Sequence, residues 1–255
     1  MQDINHINGV SPHSVTPFFD DKEQLIPINI FNQAIGEAIE NFTAGEKPNI
    51  NNLEGHYCRL ERLCVEHHLD DIYPFYGSES LPSQWTYLPM NALPDKESVR
   101  QFLQQNQQSE DPYYLAIIDK ETQKAVGTFS LMRIDTQNRV IEVGWVIYSP
   151  QLKHSRVATE AQFLLMKYVF ETLQYRRYEW KCDSLNQPSR NAATRLGFKF
   201  EGIFRHAVVY KGRNRDTAWF SMLPQEWLQM KPKFERWLAK ENFDDNGKQK
   251  TSLND

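Results

Sequence analysis

Hydrophobic positions along this chain switch between helical and strand spacing, and the switches predict its elements. Ile28, Phe31, Ile35 and Ile39 recur at helical spacing, which predicts a short amphipathic helix over 28–39. Before it, Met1–Asp21 is polar, carries Pro12 and Pro17 and has no period, and 45–52 reads as a linker. Tyr57–Leu63 reads as a strand. Val65–Tyr76 reads as a helix, brought to its end near Pro74 and Gly77. Lys96–Gln107 is a second helix with Val99, Phe102 and Leu103 on one face. Tyr113–Ile118 and Val126–Arg133 form a hairpin across Lys120–Lys124, and Val140–Ile147 is the next strand.

The strongest helical stripe is Ala161, Leu164, Leu165, Tyr168 and Val169, within Arg156–Thr172. Arg177–Cys182 alternates, with Tyr178, Trp180 and Cys182 on one side and Arg177, Glu179 and Lys181 on the other. Pro188–Leu196 is a short helix with Asn186 as cap and Gly197 as stop. Phe198–Phe204, His206–Tyr210 and Thr217–Met222 are further strands. From Pro224 the chain is helical in places, and Asp244–Asp255 reads as frayed. The pattern predicts an α+β fold, a mixed sheet with helices on both faces. It divides the chain into an extension (1–52), a main domain (53–228) and a C-terminal helix with tail (229–255).

Composition narrows the function. A hydrophobic content of 40% with 13% aromatic residues supports a substantial core, and a net charge of −4 argues against a dedicated nucleic-acid binder. Cys58, Cys64 and Cys182 are few, odd in number and unevenly spaced, which argues against a disulfide framework. No secretory signal is visible, and no apolar run approaches the ~20 residues that span a bilayer. The expectation is a soluble cytoplasmic protein without a membrane partner.

The candidate chemistry starts where Val140–Pro150 runs into Lys153-His-Ser-Arg-Val-Ala-Thr-Glu-Ala161: a strand, a basic loop and a helix start. A helix N-terminus offers free N–H groups and partial positive charge, which suit a diphosphate. Neither G-x-G-x-x-G nor G-x-x-x-x-G-K-[ST] occurs, so a Rossmann cofactor and nucleotide hydrolysis lose their main support. Asn186-Gln-Pro-Ser189 and Ala193-Thr-Arg-Leu-Gly-Phe198 follow.

Together these segments resemble the acyl-coenzyme-A-binding core of the GNAT N-acetyltransferases. From Leu53 to Leu223 the chain is similar to the branch of the ribosomal-protein N-terminal acetyltransferases. Trp85-Thr-Tyr-Leu88, Tyr175-Arg-Arg-Tyr-Glu-Trp-Lys-Cys182 and Lys211-Gly-Arg-Asn-Arg-Asp-Thr-Ala-Trp219 carry that likeness. The resemblance implies a mostly antiparallel GNAT-like sheet. It also implies transfer of an acetyl group from acetyl-CoA, as co-substrate and with no metal, to a protein N-terminus or a small amine.

Residue by residue, the resemblance implies that Lys153, His154, Ser155, Arg156, Val157, Ala158 and Thr159 hold the diphosphate. The backbone of Trp145, Val146 and Ile147 would face the thioester oxygen across a splay in the sheet. Asn186 would hold the pantetheine chain, and Ser189 would assist the leaving thiolate. Glu142 is the first candidate base, set against a paired strand carboxylate. The loop departs from the family pattern: Lys153 replaces Gln or Arg, and Arg156 stands where Gly is usual. Arg156 must keep clear of the diphosphate's path, from where it could make bidentate contacts. Val208 occupies the place of a Glu that those acetyltransferases often use, and Asp216 either organises the late hairpin or pairs with Arg213 or Arg215.

Other readings stay open. The same fold could serve as a non-catalytic acyl-CoA sensor, and Lys211–Arg215 could meet RNA, though solvated charges on a hairpin turn explain them as well. Asn186 and Ser189 suit simple helix capping. Trp85–Leu88 could line an acceptor pocket or belong to the core. His56, Cys58, Cys64, His67 and His68 lack the second paired motif of a zinc site. A homodimer is compatible with the sequence.

Overall fold

The computed structural model describes residues 26–245 and 247–255. The polar stretch Met1–Asp21 lies outside the described residues. The chain divides into two units, Met1–Thr43 and Ala44–Asp255.

In the first unit the helix expected over 28–39 does not form. Asn29 takes the competing option open to a short polar side chain. Its Oδ1 accepts from the N–H groups of Phe31 (2.9 Å) and Gln33 (3.0 Å), Asn32 turns with φ 61°, and Ile28 bridges to Ala34.

The second unit is built on one eight-stranded sheet. Its strands are β1 (Asn52–Glu54), β2 (Cys58–Arg62), β3 (Tyr113–Asp119), β4 (Ala125–Asp135), β5 (Val140–Tyr148), β6 (Arg177–Asp183), β7 (Lys199–Tyr210) and β8 (Arg213–Met222). They lie in the order β1-β2-β3-β4-β5-β6-β8-β7, and only β5 and β6 run parallel. Helices α1 (Val65–Tyr76) and α2 (Lys96–Gln107) cover one face of the sheet, burying Leu69, Ile72, Val99 and Leu103 against Ala116, Ile118 and Ile147. On the other face α3 (Arg156–Lys167) and α5 (Pro224–Leu238) pack Phe163, Leu165, Trp227 and Phe234 over Leu131, Ile141 and Tyr178. Helix α4 (Gln187–Arg195) connects β6 to β7. The expected mixed, mostly antiparallel sheet with helices on both faces is therefore what the chain forms.

Several boundaries differ for physical reasons. Pro74 lies inside α1 and does not stop it. The stripe through Val169 continues past α3 as a π-helical turn, Tyr168–Thr172. The two strands expected over 198–210 are one strand bulged at 205–207, where a single residue of β8, Asp216, opposes three of β7 between Phe204↔Thr217 and Val208↔Arg215. Helix α5 runs through the boundary expected at 228/229. The tail is folded: Trp237 Nε1 donates to Gln249 Oε1 at 2.8 Å, and Phe243 and Leu253 are buried. Among the described residues no helix is long and apolar enough to cross a membrane.

Candidate active site

The parallel pairing of β5 with β6 spans only Val140↔Arg177 to Val143↔Trp180. Each strand then continues with its other neighbour, β5 with β4 as far as Tyr148↔Gly127 and β6 with β8 as far as Asp183↔Thr217. Beyond Val143 and Trp180 the sheet opens into a wedge whose β5 edge has no strand partner. Phe129 of β4 alone opposes both Trp145 and Val146, between Ser130↔Gly144 and Thr128↔Ile147. This bulge holds Trp145 at φ 50°, a left-handed conformation costing a non-glycine residue about 1 kcal/mol. The Trp145 and Ile147 side chains pack into the α1/α2 core and Val146 into the opposite one. The expected splay is thus present at Trp145–Ile147.

The wedge leads to the N-terminus of α3. Ser155 caps it: its Oγ accepts from Ala158 N at 3.1 Å and donates to Leu152 O at 2.7 Å. The N–H groups of Arg156 and Val157 have no hydrogen-bond acceptor among the described residues. Lys153 and His154 are exposed, and His154 turns the loop with φ 61°. Thr159 is buried and its hydroxyl accepts from Arg195 at 3.2 Å.

Arg156 keeps its side chain away from the front of the loop. Its guanidinium carbon lies 4.3 Å from the centre of the Tyr57 ring and 5.6 Å from that of Phe243, so it stacks and does not reach along the loop. One turn on, Glu160 is 2% exposed and accepts from the backbone N–H groups of His56, Tyr57 and Cys58, each at 2.7 Å. A methyl group on Gly55 would come within 2.5 Å of that carboxylate, so the turn between β1 and β2 needs a glycine there. The anchor joins α3 to the sheet. The sequence does not mark Glu160 for this role, because its partners lie 102–104 residues earlier in the chain.

On the α1/α2 face, Glu142 and Glu179 stand side by side on paired strands. Lys181 Nζ bridges them, 2.9 Å from Glu142 Oε2 and 2.8 Å from Glu179 Oε2, and lies 3.6 Å from the Trp219 ring centre. Arg133 reaches Glu142 at 3.3 Å, and Arg177 reaches Glu179 at 2.7 Å. Burial raises the Glu142 carboxyl above the ordinary carboxylate range, although Lys181 and Arg133 pull it down. Burial also pushes Glu179 upward, but hydrogen bonds from Lys181 and Arg177 carry it below that range. Glu142, the candidate base or else a paired strand carboxylate, stands between Arg133 and Lys181 in a buried ion network.

Asn186 caps α4, its Oδ1 accepting from Ser189 N at 3.2 Å, while its Nδ2 donates to no other described residue. The Ser189 hydroxyl accepts from Trp180 Nε1 at 3.0 Å, which uses an acceptor lone pair and leaves its proton to donate. Burial pushes the neighbouring Cys182 thiol up, and Ser189 acts against that.

Two cations of the late hairpin reach backbone carbonyls, while Arg213 and its neighbours at the turn stay exposed. Lys211 donates to Trp85 O at 2.6 Å and Arg213 to Thr86 O at 2.7 Å. Trp85 itself is core, with Nε1 donating to Ser80 Oγ at 2.8 Å. Asp216 organises the β7 bulge, accepting from His206 N at 2.7 Å and Asn214 Nδ2 at 3.0 Å. Val208 is 43% exposed on that edge strand. Of the candidate zinc residues, Cys58 is buried and His68 links Cys64 N to Glu61. Among the described residues no group of three or more His, Cys, Asp or Glu is placed to hold a metal ion.

Known proteins share the fold that carries this site. The model of the acetyltransferase (GNAT) domain matches residues 59–199, more than half of the chain. An N-acetyltransferase of Bacillus licheniformis, p20, itself uncharacterized, is 35% identical over 114 residues, 44% of this chain and 62% of its own length. YdaF of Bacillus subtilis, a candidate ribosomal N-acetyltransferase, is 32% identical over 101 residues, 40% of this chain and 55% of its own length. The chain thus spans less than two thirds of each of these curated relatives. The crystal structure of a GCN5-related N-acetyltransferase from Brucella melitensis is 45% identical and superimposes with a TM-score of 0.82, over 85% of this chain and 98% of that one.

Proposed function

The chain belongs to the GNAT acetyltransferase family, and from that membership we propose that it moves an acetyl group from acetyl-CoA to a primary amine by direct attack. The observation that supports this reading most is the wedge between β5 and β6, opening toward an α3 N-terminus with unpaired N–H groups. A thioester acyl donor needs both a carbonyl-facing strand edge and a diphosphate seat, and the end of the β5–β6 pairing and the start of α3 supply a candidate for each.

In this reading the α3 N-terminus, with Lys153 and His154, receives the diphosphate. The Val157 and Ala158 side chains pack inward, so this stretch meets the ligand with its backbone. Trp145–Ile147 present backbone to the thioester oxygen, which would acquire negative charge during attack. Asn186 has an amide nitrogen to spare for pantetheine, and Ser189 a proton for the leaving sulfur. Acetyl-CoA supplies an activated acyl carbon, and the protein supplies position and charge. Arg156 belongs to the wall of the loop, and Glu142 keeps Lys181 in place.

The acceptor is a protein N-terminus or a small amine. An α-amino group, with pKa about 7.7–8.0, is partly neutral at pH 7, unlike lysine at about 10.4. Calorimetry with acetyl-CoA followed by thiol release over a panel of α-amino peptides, lysyl peptides and small amines tests the proposal. Binding with turnover on an α-amino or small amine is the expected result. Binding with no turnover on any amine would establish the acyl-CoA sensor instead. A supernatant from this protein's host would place it in the cytoplasm if fractionation finds it there.

A further inference from the structure

We propose that Asp183 and Tyr210 are the proton-accepting pair for the attacking amine; this rests on the acetyltransferase reading above. Asp183 is 4% exposed and closes β6. Extending the register Val143↔Trp180 by three residues brings Asp183 abreast of Val146, across the wedge and about 10 Å beyond the last strand pair. Pairing of β6 with β8 is unbroken from Tyr178 to Asp183, so alternation holds to its end. Tyr178, Trp180 and Cys182 are in the α3 core, which puts Asp183 on the α1/α2 face with Glu179 and Lys181.

Unlike Glu142, Asp183 makes no ion pair among the described residues. Its Oδ1 accepts from Leu185 N at 2.9 Å and its Oδ2 from the Tyr210 hydroxyl at 2.7 Å. Tyr210 is the one buried residue of the twelve in β7. It lies where the hairpin crosses to the α1–α2 connection, next to the Lys211–Trp85 and Arg213–Thr86 bonds. The charged groups facing the pair are Arg213 and Arg215 from β8, at 5.3 and 5.9 Å from the Tyr210 ring centre, and Arg190 from α4, which donates to Ser184 O at 3.1 Å. Burial and the hydrogen bond to Asp183 push the Tyr210 phenol up to about 12, so it stays protonated and passes protons on without ionising.

The step balances. The amine lone pair forms the N–C bond to the acetyl carbon, and the C–S bond breaks with its electron pair going to sulfur. After that attack the nitrogen's second proton leaves with sulfur as the thiol; before it, the bound ammonium releases a proton to Tyr210 Oη while the Tyr210 proton passes to Asp183 Oδ2. Solvent then removes that proton from Asp183.

The test compares D183N and Y210F with wild type, measuring thiol release from acetyl-CoA with an α-amino peptide between pH 6.5 and 9.5. Acetyl-CoA affinity by calorimetry and thermal denaturation are followed alongside. A positioned general base is worth roughly 100-fold or more, so both variants should lose about 100-fold in kcat at pH 7 with acetyl-CoA affinity within twofold. The deficit should shrink above pH 8, where the free amine is itself neutral. Y210F removes one oxygen and retains the ring, so it reports on the pair even if D183N folds poorly. A pH-independent deficit, or full activity in a folded variant, overturns the proposal alone. A wild type that releases no thiol with any amine overturns the acetyltransferase reading, and this proposal with it.

Discussion

Lys181 stands 2.9 Å from Glu142, and both side chains are 7% exposed. An ammonium this close, with Glu179 on its other side, holds two like charges together in the middle of a sheet face. Removing the cation should cost far more than removing one anion, because it leaves two buried carboxylates facing each other with only Arg133 and Arg177 at their ends. K181M is expected to destabilise the fold by roughly 3–5 kcal/mol, and E142Q by much less. Urea unfolding of the two variants checks the order, and equal losses would refute it.

The two carboxylates should also act oppositely on stability as pH changes. Glu179 is held below the ordinary carboxylate range, so its contribution is present above that range and is lost as pH falls through its folded value. Glu142 is held above it, so the native state binds the extra proton and this group favours folding more as pH falls toward 4.5. Relative to wild type, E179Q should therefore be least stable at neutral pH and converge in acid. E142Q should compare best with wild type at neutral pH and lose ground in acid. Denaturation at pH 7 and pH 4.5 gives the two signs, and matching signs would show that the network does not divide this way.

Glu160 makes a separate prediction, because three backbone N–H groups converge on its carboxylate. Gln would place an amide donor against one or more of those donors, and hydrogen bonds to a charged group are worth about 1.5–3 kcal/mol. E160Q is expected to lose roughly 3 kcal/mol of stability and to loosen the 55–58 turn. Hydrogen exchange at Tyr57 and Cys58 would rise in the variant, and unchanged protection would mean that the turn holds itself.

Much of this fold is legible in the sequence, and the failures have physical causes. Val65–Tyr76 and Lys96–Gln107 are read from period and breakers alone, because their apolar faces are wide and their neighbours polar. Strand β1 is missed because three residues, two of them polar, carry no period. In β7 the bulge at 205–207 interrupts alternation, so one strand reads as two. At 28–39 the spacing is helical, but Asn29 bonds its own backbone instead. For the site, charge and spacing mark the loop before α3. The place of the Arg156 side chain depends on Tyr57 and Phe243, each far away in sequence. The Asp183–Tyr210 bond is equally hidden, since it depends on how the β7–β8 hairpin folds back. The position of Lys181 between two acids depends on parallel register, which alternation within one strand does not reveal.

The loop before α3 divides the work of binding from the work of packing, and substitution should separate them. Arg156 stacks on Tyr57 and Phe243, an interaction worth about 0.5–1 kcal/mol at a partly exposed position. Lys153 and His154 are exposed beside the free N–H groups of the helix start. R156A should therefore lower the melting temperature by a few degrees and change acetyl-CoA affinity by less than about threefold. K153A/H154A should leave the melting temperature unchanged and weaken acetyl-CoA binding by about 10-fold, more at low salt than at high salt, because a screened attraction to the diphosphate is lost. Calorimetry at two salt concentrations with matched thermal melts decides between these assignments. If R156A abolishes binding while its melt is unchanged, the guanidinium leaves the aromatic rings for the diphosphate when ligand arrives, and the stacked position belongs to the free protein only.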